Sequence, residues 1–559
     1  MSPQIVESER RCGNYIPKVW TDDFIQSLTS VYLDQKYLEQ AAKLKESVRG
    51  MLETTVTKPL EQLELIDALQ RLGLSRHFTH EINNILASMH AMITSNDKPI
   101  PMDDSLYETA LQFRLLRQEG FQIAQEMFNG FMSEEGSFDV KHCGEIKGLL
   151  SLYEASYLSM EDEDVLEKAK DFSIHHLKQA LKQGAIDEKL GEQVSHALEM
   201  PFHWMMQRLE SRWFIDVYEK TENNNCIVLE LAKLDYNMVQ VLHLDELKQL
   251  SRWHENVNLA EKMEFARNRL AEGFLWSVGL AYEPEFEYCR KISTKSAEII
   301  TVIDDVYDVY ATFNEVEILT DAVNRWDVSA IEGLPNYIKI CFLAMFNYVN
   351  EVVYDILQQQ DFNVLPYIQK VWSDLCRTYL VEAKWFNEGL KPKLKEFLEN
   401  AVVSIAGPLL LVQAYISTAK PINKEHLDQL LRNDHPIHFP SLISRLTDDL
   451  ATSKDELERG DIPKSIQCYM QEKGCSEEDA RNYMHKVVET TWKKMNKHFI
   501  LTDDSNLPKD YKRMALNHAR ISQCMYQYGD GYGRPDGITK DRINSLFFQP
   551  IPLHPTPLL

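Results

Sequence analysis

Asp304, Asp305 and Asp308 close an apolar run that reads Glu298-Ile-Ile-Thr-Val-Ile-Asp304-Asp305-Val-Tyr-Asp308. On a helix, Asp304 and Asp308 share one face, about 6 Å apart along the axis. The run before them predicts that this helix is buried. Acids at the mouth of a buried helix repel each other and lose solvation, so they ask for a cation. Oxygen-only ligands favour Mg²⁺ or Mn²⁺ over zinc, and Mg²⁺ usually arrives with a phosphate. Taken alone, an acid cluster of this kind is more often a solvated helix face.

A second oxygen-bearing face follows. Asp448, Thr452 and Glu456 are spaced i, i+4, i+8 in Thr447-Asp-Asp-Leu-Ala-Thr-Ser-Lys-Asp-Glu456. Two such faces across a helical bundle would bracket a metal cluster. Cations accompany both. Arg267 and Arg269 lie in FARNRLAEG, Arg445 lies just before Asp448, and Lys464 lies after Glu456. A guanidinium fork matches the oxygens of a diphosphate. Any one of these cations read singly is an ordinary surface ion pair. Trp276, Tyr307, Tyr310, Tyr526, Tyr528 and Tyr532 add aromatic faces, which stabilise cations. Singly each reads as core, but beside diphosphate chemistry they suggest a carbocation pocket.

The elements that must position these groups read as helices. Long segments carry the i, i+3, i+4 apolar period, and no strand-turn-strand series is evident. In 58–73 the stripe Leu60, Leu63, Ile66, Leu69 ends at Gly73, a C-cap residue. The acidic run 160–169 reads as a solvated helix start. The polar stretch 219–226 is the best linker candidate. The expected division is an arm over 1–20, a helical domain over 21–225 and a second over 226–559. Apolar helices are expected over 337–358, 364–388 and 396–418, the last interrupted at AGPLLL because Pro408 lacks an N–H. Read alone, the polar arm is a loosely packed terminus.

The totals narrow the class. A chain of 559 residues that is 44% hydrophobic can bury more than one core. A formal charge of −25 argues against nucleic acid and against an anionic membrane surface. Nine scattered cysteines without a C-x-x-C pair read as reduced thiols. No uninterrupted apolar run looks long enough to span a bilayer. The first twenty residues lack a signal-peptide core and the Ser/Arg-rich pattern of a transit peptide. The chain as it stands is therefore expected in the cytoplasm, or in the plastid if a leader was omitted.

Together the motifs resemble those of the plant terpene synthases, and within them the angiosperm monoterpene synthase branch. The resemblance spans nearly the whole chain: RR(x)8W at Arg10, Arg11 and Trp20, LELIDALQRLGLSRHF, FRLLRQEGF, LSLYEASYL, LAKLDYNMVQ, RNR, DDVYD, LTDDLATSKDE and MYQYGDGYG. It implies two all-α domains, a catalytically silent N-terminal one and a C-terminal class I terpenoid synthase domain. It implies that Asp304 and Asp308, supported by Asp305, hold two Mg²⁺ (or Mn²⁺) ions, and that Asp448, Thr452 and Glu456 hold a third. Arg267, Arg269, Arg445 and Lys464 would bind the diphosphate, with Trp276 and Tyr526 against the prenyl chain. Arg10, Arg11 and Trp20 would close over the site, which reverses the reading of the arm as loose.

The implied enzyme is a lyase that ionises geranyl diphosphate to a monoterpene, working as a monomer or homodimer. Farnesyl diphosphate is the rival substrate, and an inactive helical scaffold is the rival of another class. Ala297 and Ser444 are small where hemiterpene synthases carry Phe. The chain departs from the family at Asn268, Ala271, Ala311, Ala451, Tyr532 and His254, where Asp, Val, Gly, Gly, His and Trp are common.

Overall fold

Apolar stripes become helices throughout the chain. Pro59–Arg71 starts on Pro59, which fits a first turn, and buries Leu63, Ile66 and Leu69. It stops where Gly73 takes φ +74°, with Ser211 packed too close to admit a side chain. The computed structural model describes residues 10, 13–54, 58–94, 105–184, 186–222, 224–432, 435–501, 506–535 and 537–553. Among them there is no strand, only an isolated bridge between Met132 and Phe138. Arg11 lies outside the described residues.

The chain forms two compact units. One comprises Thr29–Val241, Trp492–Asp504 and Ser545–Leu559; the other comprises Met1–Leu28, Leu242–Thr491 and Ser505–Asn544. The division at Val241/Leu242 falls inside the helix Cys226–Val257, beyond the polar stretch 219–226.

The first unit has an apolar cluster around Leu149, Tyr153, Leu177, Val194 and Ala197. It also buries charge. Glu163, in the acidic run expected to be solvated, instead receives Arg117, whose side chain also donates to the carbonyls of Ile123 and Leu158.

The second unit carries the motifs. Its principal helices are Leu270–Leu280 (α1), Glu287–Asp305 (α2), Phe313–Arg325 (α3), Asn336–Gln360 (α4), Leu365–Glu388 (α5), Leu394–Ser404 (α6), Gly407–Thr418 (α7), His435–Glu458 (α8), Ser465–Lys473 (α9) and Lys509–Tyr526 (α10). The α2 helix packs on α1, α4 and α7, and α8 packs on α6, α7, α9 and α10.

The expected interruption falls between α6 and α7. Ala406 takes φ +63°, and Pro408 sits in the first turn of α7, where its missing N–H costs nothing. The break therefore precedes the proline. In one respect the structure corrects the sequence reading. By length and composition, α4 and the stretch Leu394–Thr418 are apolar enough to cross a bilayer. The second is 83% buried over its most apolar window, as expected of core helices, and α4 is 39% buried.

Candidate active site

The α2 helix ends at Asp305, and Val306–Tyr310 continue as a single π-turn. Such a widened turn often marks a functional site. Here it carries Asp308. Thr312 and Glu315 then form a capping box that starts α3.

Arg267, just before α1, meets the first acids. Its backbone N–H donates to Asp305 Oδ2 at 2.7 Å and its Nε to both Asp305 oxygens at 3.1 Å. Its Nη2 donates to Asp304 Oδ2 at 2.5 Å. Asp305 is fully buried and held by this guanidinium. Its oxygens thus position Arg267, which in turn bonds Asp304. Among the described residues Asp308 has no such partner. Burial, with Asp304, Asp461 and Glu382 nearby, holds its pKa well above the carboxylate range, against a smaller pull from Lys464. Asp304 is raised too, by burial that Arg267 partly offsets.

The second face lies along α8. Arg445 pairs with Asp448 and lies 2.7 Å from Asp449 Oδ1. Asp449 Oδ2 accepts the Ser465 N–H at 3.0 Å, which ties the start of α9 to this face. Thr452 donates its hydroxyl proton to the Asp448 carbonyl at 3.0 Å, leaving its oxygen able to act as a ligand. Glu456 Oε2 is buried without a hydrogen-bond partner. It lies 3.7 Å from Lys464 Nζ, which also lies 3.6 Å from Asp461.

The two faces meet at a cavity. An outer space of about 390 Å³ is lined by Tyr15, Arg267, Asp304, Asp308, Glu456 and Asp461. An adjoining space of about 150 Å³ shares five of these residues, Tyr15, Arg267, Asp304, Asp308 and Glu456, and is walled further by Thr301, Tyr379, Ala406, Tyr526 and Tyr532. Trp276 stands edge-to-face with Tyr526 and Tyr532 at 6.3 and 6.2 Å. Ser404 is on the wall, at the α6–α7 break. Ser277 is a buried link between Gly273 and Thr294.

Sequence reasoning missed Glu382, Asp461, Tyr379 and Tyr15. Glu382 is buried on α5, accepts from Asn400 at 2.9 Å, and has a raised pKa through burial, partly offset by Lys464 and Arg445. It had a readable signal, a lone acid on the buried stripe Leu375, Tyr379, Glu382. Tyr15 had none, since a tyrosine in a polar arm announces nothing. Its ring packs against the Arg267 guanidinium at 5.2 Å.

Arg269 corrects another expectation. Fully buried, it donates Nη2 and Nε to the Gly533 carbonyl at 2.7 and 3.3 Å and Nη1 to the Asn268 carbonyl. Its guanidinium is bonded to backbone carbonyls, and Arg269 is not among the residues that line the cavity. The described residues of the arm, 10 and 13–20, are tied down. Arg10 donates to the Tyr310 carbonyl at 3.1 Å, to Tyr337 at 3.0 Å and to both oxygens of Glu315 at 2.9 and 3.0 Å. It therefore fastens the end of the π-turn that bears Asp308. Trp20 donates to Asn544 Oδ1 at 3.1 Å.

The donor set fits a hard divalent cation. It consists of carboxylates and one hydroxyl; the buried Glu382 and the half-buried Asp308 and Glu456 have no guanidinium bonded to them among the described residues. Among the described residues no three such groups close on one point; Arg267 and Arg445 instead hold Asp304 and Asp448.

The chain matches the model of the terpene synthase family, metal binding domain, over residues 255–494, and that of the terpene synthase N-terminal domain over 19–198. It is 50% identical to a (−)-α-terpineol synthase of Vitis vinifera, over 97% of this chain and 91% of that protein. It superposes on a limonene synthase bound to 2-fluorolinalyl diphosphate with TM-score 0.94 and 41% identity, covering 97% of this chain and all of the other. An isoprene synthase of Grey Poplar (Populus x canescens), in complex with three Mg²⁺ ions and a thiolodiphosphate, matches with TM-score 0.86 and 43% identity over 96% of this chain and 99% of that one.

Proposed function

The chain belongs to the terpene synthase family, and we propose that it ionises geranyl diphosphate, releasing diphosphate and a monoterpene. It is a lyase that acts on a prenyl diphosphate and takes a divalent metal cofactor. The observation that carries the reading is the cavity where the two oxygen-ligand faces meet, lined by acids, Arg267, Arg445 and Lys464 together with Tyr379, Tyr526 and Tyr532.

Three metal ions, Mg²⁺ or Mn²⁺, are the proposed complement, supported by the three Mg²⁺ of the isoprene synthase complex. Asp304 and Asp308 would hold two of them, joined by Glu382, and Asp448, Thr452 and Glu456 the third. When bound there, the metal supplies Lewis-acid neutralisation of the diphosphate oxygens. The chain's own residues do the rest. Arg267, Arg445 and Lys464 lie against the same acids and can hand their donors to the diphosphate as its charge arrives. Arg269 acts at one remove by holding Gly533. Arg10 keeps the Asp308 turn in place, and Tyr15 covers the mouth. Tyr526 and Tyr532, with Trp276 edge-on to both, offer aromatic faces to the allylic cation.

The N-terminal unit is proposed to be catalytically silent. The plastid is the proposed compartment, supported by relatives named as chloroplastic. Incubation with Mg²⁺ and geranyl or farnesyl diphosphate, with diphosphate and volatiles quantified, tests the reading. Release from neither substrate would overturn it. Turnover of farnesyl diphosphate alone would move the substrate to the C15 chain.

A further inference from the structure

The ring of Tyr532 faces the cation in the proposed reaction, but its hydroxyl has no role there, and the structure fixes that hydroxyl closely. Gly531 and Gly533 flank it. A side chain on Gly531 would lie 2.3 Å from the Met525 carbonyl, so only glycine allows the segment to pack there. The Gly533 carbonyl receives two donors from the buried Arg269. The close pass at Gly531 and the Arg269 bonds to Gly533 thus hold the Tyr532 hydroxyl against the cavity wall.

The hydrogen bonds around that hydroxyl have one consistent direction. The Tyr532 and Thr301 oxygens are 2.8 Å apart. Thr301 has a single hydroxyl proton, and it goes to the Ala297 carbonyl, one turn back, at 2.7 Å. Tyr532 must therefore donate to Thr301. Its own oxygen keeps lone pairs, and no donor among the described residues is bonded to it. Burial and the nearby Glu298 keep the phenol protonated, so the chain Tyr532–Thr301–Ala297 persists. Tyr379 and Tyr526 also line the cavity, but they stand among charged groups, Asp304, Asp308 and Glu382 for one, Asp530 and Arg445 for the other. Tyr532 also has charged neighbours, Glu298, Arg267 and Glu272, but of the three tyrosines it alone has its hydroxyl bonded among the described residues, to Thr301: it is a fixed acceptor on the wall, level with Thr301, one turn of α2 before Asp304.

We propose that Tyr532, held by Thr301, positions the water molecule that ends the reaction, so that the product of this chain is a terpene alcohol. The inference rests on the proposed function, which supplies the cation. The water donates one hydrogen to the Tyr532 oxygen and turns its own lone pair toward the cationic carbon. A C–O bond forms, and the surplus proton passes to the released diphosphate, the strongest base available. The sum is prenyl diphosphate plus water giving alcohol plus protonated diphosphate, with no oxidant or reductant.

The test uses the purified full chain with Mg²⁺ and geranyl diphosphate in ¹⁸O-enriched water, and reads the ratio of alcohol to hydrocarbon among the products. That ratio does not depend on how fast a variant ionises its substrate. The wild-type chain should give mainly ¹⁸O-labelled alcohol. Tyr532→Phe should lower the alcohol-to-hydrocarbon ratio at least tenfold. Thr301→Val should lower it as well, whereas Thr301→Ser, which keeps the hydroxyl, should restore it. If Tyr532→Phe does not fold, the Thr301 pair decides the matter. A wild-type product that is all hydrocarbon would overturn the inference, as would a ratio unchanged in Tyr532→Phe or equal in the two Thr301 variants. In each of those cases diphosphate is still released and the proposed function stands. No diphosphate release from the wild-type chain would take down both.

Discussion

Both units bury charge, and they treat it in opposite ways. In the N-terminal unit the buried charges are closed off by partners. Asp235 receives Arg76 on both oxygens, at 2.7 and 2.6 Å, and His77 at 2.7 Å. Glu210 receives Arg71 at 3.2 Å and His196 at 2.7 Å. Even Glu154, pushed up to about 7 by burial, accepts the Phe202 N–H at 2.8 Å. In the C-terminal unit Asp308 is half-buried near Asp304, Asp461 and Glu382, Glu382 is buried near Asp461, and Glu456, beside Lys464, keeps an oxygen without a hydrogen bond among the described residues. Buried charge that is fully paired serves the fold. Buried charge left open costs stability, and its retention points to a ligand.

The largest expected break in this contrast is at Asp308. Asp308→Asn should lower diphosphate release at least about 10³-fold, as expected when charge stabilisation of a leaving group is lost. The same variant should raise the melting temperature of the metal-free protein by a few degrees, about 1–2 kcal/mol, because a buried unpaired charge is gone. A thermal scan beside the activity assay reads both. Asp235→Asn should behave in the reverse way. It leaves Arg76 buried without its partner and should cost about 3 kcal/mol of stability in a urea titration, while the ratio of products is unchanged.

Glu382→Gln sharpens the comparison. It keeps the Asn400 contact and removes the charge, so release should fall roughly 10–100-fold, in the range seen when a metal's supporting residues are lost. The smallest effect is in the pH dependence, where the two regions should differ in sign. Asp235 has its folded-state pKa held below the ordinary value by Arg76 and His77, which outweigh its burial. Its stabilisation is present above the unfolded carboxylate range, near ~4, and is lost as pH falls. Asp308 is raised by burial. Its folded state favours the proton, so the metal-free chain loses stability as pH rises from ~4 toward the raised value. Urea titrations of each variant against wild type at pH 4 and pH 7 should show both differences shrinking in acid, with opposite signs at neutral pH.

Much of the site is legible because its motifs are local. Asp304 and Asp308 follow an apolar run, and Asp448, Thr452 and Glu456 fall on one helical face, so spacing alone brings each set together. The acids that join them come from elsewhere in the chain. Glu382 on α5 and Asp461 before α9 reach the cavity only through packing, and no spacing rule links them to Asp308. Side-chain direction was equally hidden. Arg267 and Arg269 sit two residues apart, yet one meets carboxylates and the other a backbone carbonyl. Two backbone features also escaped the pattern, the π-turn at Val306–Tyr310 and the left-handed Ala406, because the i, i+4 period does not register a turn widened or broken by its neighbours.

The claim that the open acids await a metal is tested most directly by calorimetric titration of Mg²⁺, with inorganic diphosphate present, into the wild-type protein and Asp308→Asn. The account predicts saturable binding to wild type that weakens at least tenfold in the variant, together with a metal-dependent rise in melting temperature confined to wild type. Equal binding and an equal rise in both proteins would contradict it.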